Sequence, residues 1–179
     1  MFDTFRQDLR RWIIPGQIVG EAALTPGAIL RLFWQHMPVR ATAFFRLACW
    51  LKQHRIPLFP GFLQRLIYCR YGLEIPSGAT IGGGLYIAHP VGTSIMPRSI
   101  GRNCSIIAAV TIGMRNKHAF PEIGNNVTIS AGARVLGGIR VGDDAVIGAN
   151  AVVIREVPNG GTAVGVPARV IKVYGQPVT

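Results

Sequence analysis

The sequence predicts a mainly β fold, a parallel β-helix of hexapeptide repeats preceded by a short α-helical cap. Three observations carry that expectation. From Ile75 the chain repeats every six residues: IPSGAT, IGGGLY, IAHPVG, then IGRNCS, IIAAVT, IGMRNK, then IGNNVT, ISAGAR, VLGGIR, VGDDAV, IGANAV, VIREVP. Each unit opens with Ile or Val, and a small or apolar residue usually returns four places later. Residues 1–70 lack the period and carry Arg, Trp, Phe and Leu instead. A period of six is too short for helical or leucine-rich repeats and matches short flat strands wound into a coil. No single coil can bury its own apolar face, so successive coils must stack. A β-sandwich would show alternation of two over longer strands, with turn signals at wider spacing.

The elements follow in order. Phe5–Ile13 reads as a short amphipathic helix ending before Pro15. In residues 39–54, Phe44, Leu47, Ala48 and Leu51 recur at three- and four-residue spacing, with Arg46, Lys52 and Gln53 mostly opposite, so a helix is expected there. Pro57 and Pro60 should stop it, and Phe62–Tyr71 can form another before Gly72. Two to four helices capping the open end of the coil are favoured, because its apolar interior must be covered. The aromatic and basic mix of residues 27–70 offers peripheral membrane contact as a second use. The expected division is 1–72 helical, 73–173 β-helix and 174–179 a tail. The repeat has a spacer between Gly92 and Ile100 and an insertion, MRNKHAFPE, between the Ile112 and Ile123 units. An insertion in a solenoid must bulge outward as a loop, and such loops tend to carry function.

Composition narrows the function. The net charge is +11, and ten of the nineteen Lys and Arg lie in the first seventy residues against Asp3, Asp8 and Glu21. That bias suits an anionic partner. The charges are scattered singly without a nucleic-acid motif, so nucleic acid is not expected. Arg31 and Pro26 interrupt the best apolar stretch, Ile18–Trp34, so no membrane-spanning helix is expected. The N-terminus does not read as a secretory signal. Cys49, Cys69 and Cys104 form no CxxC pair and read as reduced, buried side chains of a cytoplasmic protein, with Cys104 in an inward slot. No metal site is expected.

Of the four histidines, His36 and His54 sit among polar or basic neighbours of the helical segment and read as surface residues. His89 falls at the third place of IAHPVG, where other units have Gly83, Ala108, Ala131, Gly137 and Ala149. That place points outward near a corner. His118 lies in the insertion. Each could equally be a merely exposed side chain. Ala131 and Ala149 are three hexads apart, so they should stack in a column along one edge, with Gly113 near its start. Such a column suits a long thin ligand, although tight corners alone also require small residues.

At these residues the chain resembles the left-handed β-helix acetyltransferases, most closely the serine acetyltransferase branch. The matching stretches are EIPSGATIGGGLYIAHPVG, NCSIIAAVTIG, PEIGNNVTISAGARVLGGIRVGDDAVIGANAVV and VPNGGTAVGVPARVI, with FFRLACWLKQHRIPLFP upstream. The resemblance implies homotrimers or dimers of trimers, acetyl-CoA as donor, and sites in clefts between adjacent prisms. It implies that His89 is the general base on the acceptor hydroxyl and that Glu74 stands where an aspartate partners that base. It places His118 and Lys117 at the acceptor, with Gly113, Ala131 and Ala149 along the pantetheine. Arg169 and Lys172 would meet the CoA phosphates. Two positions depart from the pattern: Ala88 replaces the aspartate that holds the serine amine, and Lys117 replaces a substrate-binding arginine. With these handles lost, the sequence favours the capsule and colanic-acid relatives, which acetylate a sugar or polysaccharide hydroxyl. Serine O-acetylation is the alternative, and a non-catalytic hexapeptide scaffold is a third. A cytoplasmic location is expected, with the inner membrane face open to the basic helices.

Overall fold

Fourteen of the described strands pair in parallel in stacked rungs, which is the arrangement the hexad period requires. The computed structural model describes residues 2–13 and 24–178. Of the Ile18–Trp34 stretch, residues 18–23 lie outside the described residues. Among the described residues no helix is long and apolar enough to cross a membrane.

The chain forms a parallel β-solenoid of about five coils with three flat faces. The first face stacks β1 (Leu73–Glu74), β4 (Thr93–Ile95), β7 (Thr111–Gly113), β10 (Arg134–Leu136) and β13 (Val152–Val153). The second stacks β2 (Thr80–Ile81), β5 (Ser99–Ile100), β8 (Glu122–Ile123) and β11 (Arg140–Val141). The third stacks β3 (Tyr86–His89), β6 (Ser105–Ala108), β9 (Thr128–Ile129), β12 (Val146–Ile147) and β14 (Gly161–Gly165). Antiparallel β15 (Ala168–Val173) and β16 (Gln176–Pro177) extend it, so residues 176–177 pair back onto the solenoid.

The hexad openers meet inside. Ile87, Ile106, Ile129 and Ile147 form one register column, and Ile95, Ile112, Val135 and Val153 another, all fully or almost fully buried. The fifth-place residues Leu85, Cys104, Val110, Val127, Ala133, Ala145 and Ala151 join them. Burying each large aliphatic contributes about 1.5–3 kcal/mol. The stretch after Gly92 is not a spacer. The Pro90–Gly92 turn lengthens the corner by two residues, and β4 then supplies a full rung with Ile95 inside.

Among the described residues four helices precede the solenoid: α1 (Phe2–Ile13), α2 (Pro26–Gln35), α3 (Met37–Gln53) and α4 (Phe59–Tyr71). Helix α2 starts at Thr25, whose hydroxyl accepts from the Ala28 N–H at 3.2 Å, with Pro26 in the first turn. Pro60 does not stop a helix but opens α4, at a place where its missing N–H has no partner to lose. In α3 the expected face is rotated, because Ala41, Phe45 and Ala48 are buried together with Thr42 and Arg46.

Arg46 is the clearest departure, since the periodicity placed it outward. It is 7% exposed and donates to Asp8 Oδ2 at 2.8 Å and to the carbonyls of Ile81 (2.7 Å) and Gly82 (2.6 Å). Carbonyls at the end of a coil need donors, and a guanidinium carries enough N–H groups to serve several. Asp8 also accepts from the Leu85 N–H at 2.8 Å. Burial pushes the Asp8 carboxyl upward, while the Arg46 charge pulls it down. Arg11 donates to the Asn103 carbonyl (3.0 Å) and the Ser105 hydroxyl (2.6 Å), and Trp12 packs on Tyr86. The helices therefore cap the first coil through polar groups as well as apolar ones.

The cysteines differ from expectation in one respect: Cys104 is buried, Cys49 is half-buried and Cys69 is exposed.

Candidate active site

Strand β3 ends at His89, which occupies the last position before the corner joining the third face to the first. Ile87 turns into the solenoid core and Tyr86, on the opposite side, is covered by Trp12, while at the strand end the His89 side chain is exposed. His89 pairs in register with Ala108. The next rungs place Ala131 and then Ala149 along the same edge, since the Gly132 N–H donates to Ala108 and the Asn150 N–H to Ala131. His89 therefore heads a row of methyl groups, and the Arg134 guanidinium lies beside that row, donating to the carbonyls of Ala109 (2.7 Å) and Gly132 (3.3 Å).

The row continues upward. Gly165 and Ala168 pair at the turn between β14 and β15, and Arg169, exposed, pairs with Val164 beside them. Lys172, also exposed, lies farther along β15, opposite Thr162 and Pro177. A cation thus stands at the end of the alanine row opposite to His89.

Gly113 does not belong to this row. It lies at the end of β7, in register with Leu136, at the corner between the first and second faces. Counting eighteen residues back from Ala131 reaches Gly113 only because the insertion lengthens that coil. With the insertion set aside, the register partner is Ala108, which sequence counting overlooked.

Glu74 lies on β1 in register with Ser94, whose hydroxyl donates to its Oε2 at 2.8 Å. Among the described residues the Glu74 carboxylate is hydrogen-bonded to Ser94 and not to His89. Glu74 is half-buried and borders a depression of about 390 Å³ with Gln64, Arg65 and Tyr68 of α4. Ser94 was missed because β4 was read as a spacer.

The insertion places His118 and Lys117 in an exposed loop. The His118 ring meets Phe120 edge-on at 5.0 Å. His118 borders a cavity of about 620 Å³ that also presents Arg98, Glu122, Arg140 and Glu156. Arg98 and Glu122 are ion-paired at 2.9 Å in an exposed setting. These charged neighbours come from separate rungs, so sequence spacing alone did not assemble them. His89 and His118 stand at different corners of one protomer. The structure therefore brings together His89, Ala131, Ala149 and Arg169 along one edge, and places Gly113, Lys117 and His118 at another.

The described residues contain no cluster of three or more His, Cys, Asp or Glu that could hold a metal ion. Burial raises the Cys104 thiol to about 11, so it is protonated at neutral pH and is no nucleophile.

Residues 120–155 match the family described as bacterial transferase hexapeptide (six repeats). The chain is 42% identical over 136 residues to a serine acetyltransferase of Synechococcus elongatus, covering 74% of this chain and 56% of that protein. It is 42% identical over 137 residues to a serine acetyltransferase of Helicobacter pylori strain J99, covering 74% of this chain and 80% of that one. A solved serine acetyltransferase in complex with CoA superposes with a TM-score of 0.77 at 29% identity, over 94% of this chain and 68% of that one. These matches overturn the expectation of a sugar acceptor and of the capsule and colanic-acid branch. That reading set two positions, Ala88 and Lys117, against an alignment covering 74% of the chain. With the repeat, the exposed His89 and this identity over four-fifths of the Helicobacter protein, the chain belongs to the serine acetyltransferase family.

Proposed function

We propose that this protein is an acetyl-CoA-dependent serine O-acetyltransferase acting by direct transfer. The observation that carries the reading is the exposed His89 at the head of the Ala108–Ala131–Ala149 row. The imidazole accepts the proton of the serine hydroxyl, and the oxygen attacks the thioester carbonyl carbon. The new C–O bond forms, the C–S bond breaks, and the imidazolium returns the proton to the departing CoA sulfur. The pantetheine arm lies along the alanine row, and Arg169 offers its guanidinium to the CoA phosphates. No protein nucleophile is required.

A serine zwitterion needs an anion for its ammonium and a cation for its carboxylate. Glu74 supplies the anion and Lys117 of the insertion the cation, with Arg169 and Lys172 left to the CoA phosphates, and His118 adds a further donor. Glu74 is free to serve the ammonium or to orient His89 by shifting its hydrogen bond from Ser94. Because Lys117 and His118 stand at a different corner from His89, one working site combines two copies of the chain in a closed trimer. A thiol-release assay with acetyl-CoA and L-serine tests the reading: serine-dependent release of CoA supports it, and release unaffected by serine contradicts it.

A further inference from the structure

Residues 22–73 contain seven Arg and Lys and no Asp or Glu. Two of these cations are used internally: Arg46 by Asp8 and the coil-end carbonyls, and Arg40 by the carbonyls of Phe33 and Trp34. Arg31, Lys52, Arg55, Arg65 and Arg70 remain exposed. Helix α4 buries Pro60, Leu63, Ile67 and Tyr71 against the rest of the protein. Its opposite side carries Leu58, Phe62, Arg65 and Cys69 at helical spacing, with Phe59 flanking. Leu58 is 87% exposed, Phe62 63% and Phe59 61%.

Leu58 also has φ +65°, a left-handed conformation that is costly for a branched side chain where glycine would be free of strain. The turn between α3 and α4 thus holds a strained leucine in solvent beside two exposed phenylalanines. Arg55, one turn earlier and also at positive φ (56°), stands on the same connection.

We propose that this tip, Arg55 to Arg65, docks on an anionic lipid bilayer. Leu58, Phe59 and Phe62 enter the interfacial region, where aromatic side chains are favoured, while Arg55 and Arg65 meet the headgroup phosphates. The charge pattern selects this occupant. A second copy placed face to face would set the same cations against each other, with no acid in the segment to offset them. An anionic surface attracts every one of them, at about 1 kcal/mol per Arg or Lys near the surface, a factor of about five each.

The test is co-sedimentation of the intact protein with vesicles of mixed phosphatidylglycerol and phosphatidylcholine, and with vesicles of phosphatidylcholine alone. Binding to the anionic vesicles only, weakened by added salt, is the expected result. Arg55→Gln with Arg65→Gln should weaken it about thirtyfold. Phe62→Asp should abolish it with the melting temperature unchanged, because Phe62 is exposed. Cys69, exposed on the same helix face, reports independently: a polarity-sensitive thiol label there should shift to the blue on anionic vesicles. No binding at low salt, equal binding to both vesicle types, or a fall in oligomer size on Phe62→Asp without any vesicle binding would each overturn the proposal.

Discussion

His89 is exposed at a strand end and supports no packing, so His89→Ala should leave the melting temperature unchanged. Turnover should fall about 10²–10⁴-fold, the scale for removing a general base. A variant within tenfold of wild type would remove His89 from that role. Asp8 behaves in the opposite way. Asp8→Asn leaves Arg46 buried with its charge uncompensated and should cost about 3–5 kcal/mol in denaturant unfolding, a loss that activity assays at low temperature need not show. The thiols give a pH signature. Burial lifts Cys104 from 9.0 to about 11, so the unfolded chain loses this proton first as pH rises. Stability should therefore decline between about pH 9 and 11, and Cys104→Ala should reduce the decline without removing it, because burial lifts the Cys49 thiol to about 11 as well. His89 was legible in the sequence because the hexad assigns each place a direction. Arg46 was not, because helical periodicity cannot anticipate a guanidinium drawn inward by coil-end carbonyls and Asp8.

At the scale of the element, the rungs set how tightly the corners pack. A Cβ added at Gly124 would lie 2.7 Å from the Asp143 backbone nitrogen and 2.9 Å from the Gly142 carbonyl carbon of the next coil. Backbone atoms cannot swing aside as side chains do, so Gly124→Ala should destabilise the fold by about 1–3 kcal/mol. The same substitution at Gly113, which has open space around its Cβ position, should be tolerated. Equal melting temperatures for the two variants would contradict this stacking. The strands that carry full hexads were readable from the openers alone. Strand β4 was not, because its corner turn is two residues longer and breaks the phase. That slip hid Ser94, the hydrogen-bond partner of Glu74. The same kind of slip at the 114–122 insertion exchanged Gly113 for Ala108 in the alanine row. Period reading recovers faces well and loses register wherever a coil changes length.

For the whole molecule, His89 and His118 stand on different corners of one prism, and the proposed function therefore requires assembly. Size measurement by light scattering should find a closed trimer, and an active monomer would contradict the shared cleft. Two inactive variants, His89→Ala and His118→Ala, should regain part of the wild-type turnover when refolded together, because mixed trimers contain clefts with both histidines intact. No recovery would mean that each chain works alone. The acceptor was the feature least legible in the sequence. Two substitutions at charged handles pointed to a sugar, yet 74% of the chain aligns with a serine acetyltransferase at 42% identity. Glu74, Lys117 and His118, which the proposed reading assigns to the serine charges, lie on separate rungs that a linear pattern does not bring together. The most direct measurement is steady-state acetylation of L-serine by the purified protein with acetyl-CoA. Serine-dependent CoA release is expected, with kcat/KM within the roughly 10⁴–10⁸ M⁻¹s⁻¹ of dedicated enzymes and about 10²–10⁴-fold lower in His89→Ala. CoA release that is indifferent to serine would contradict it.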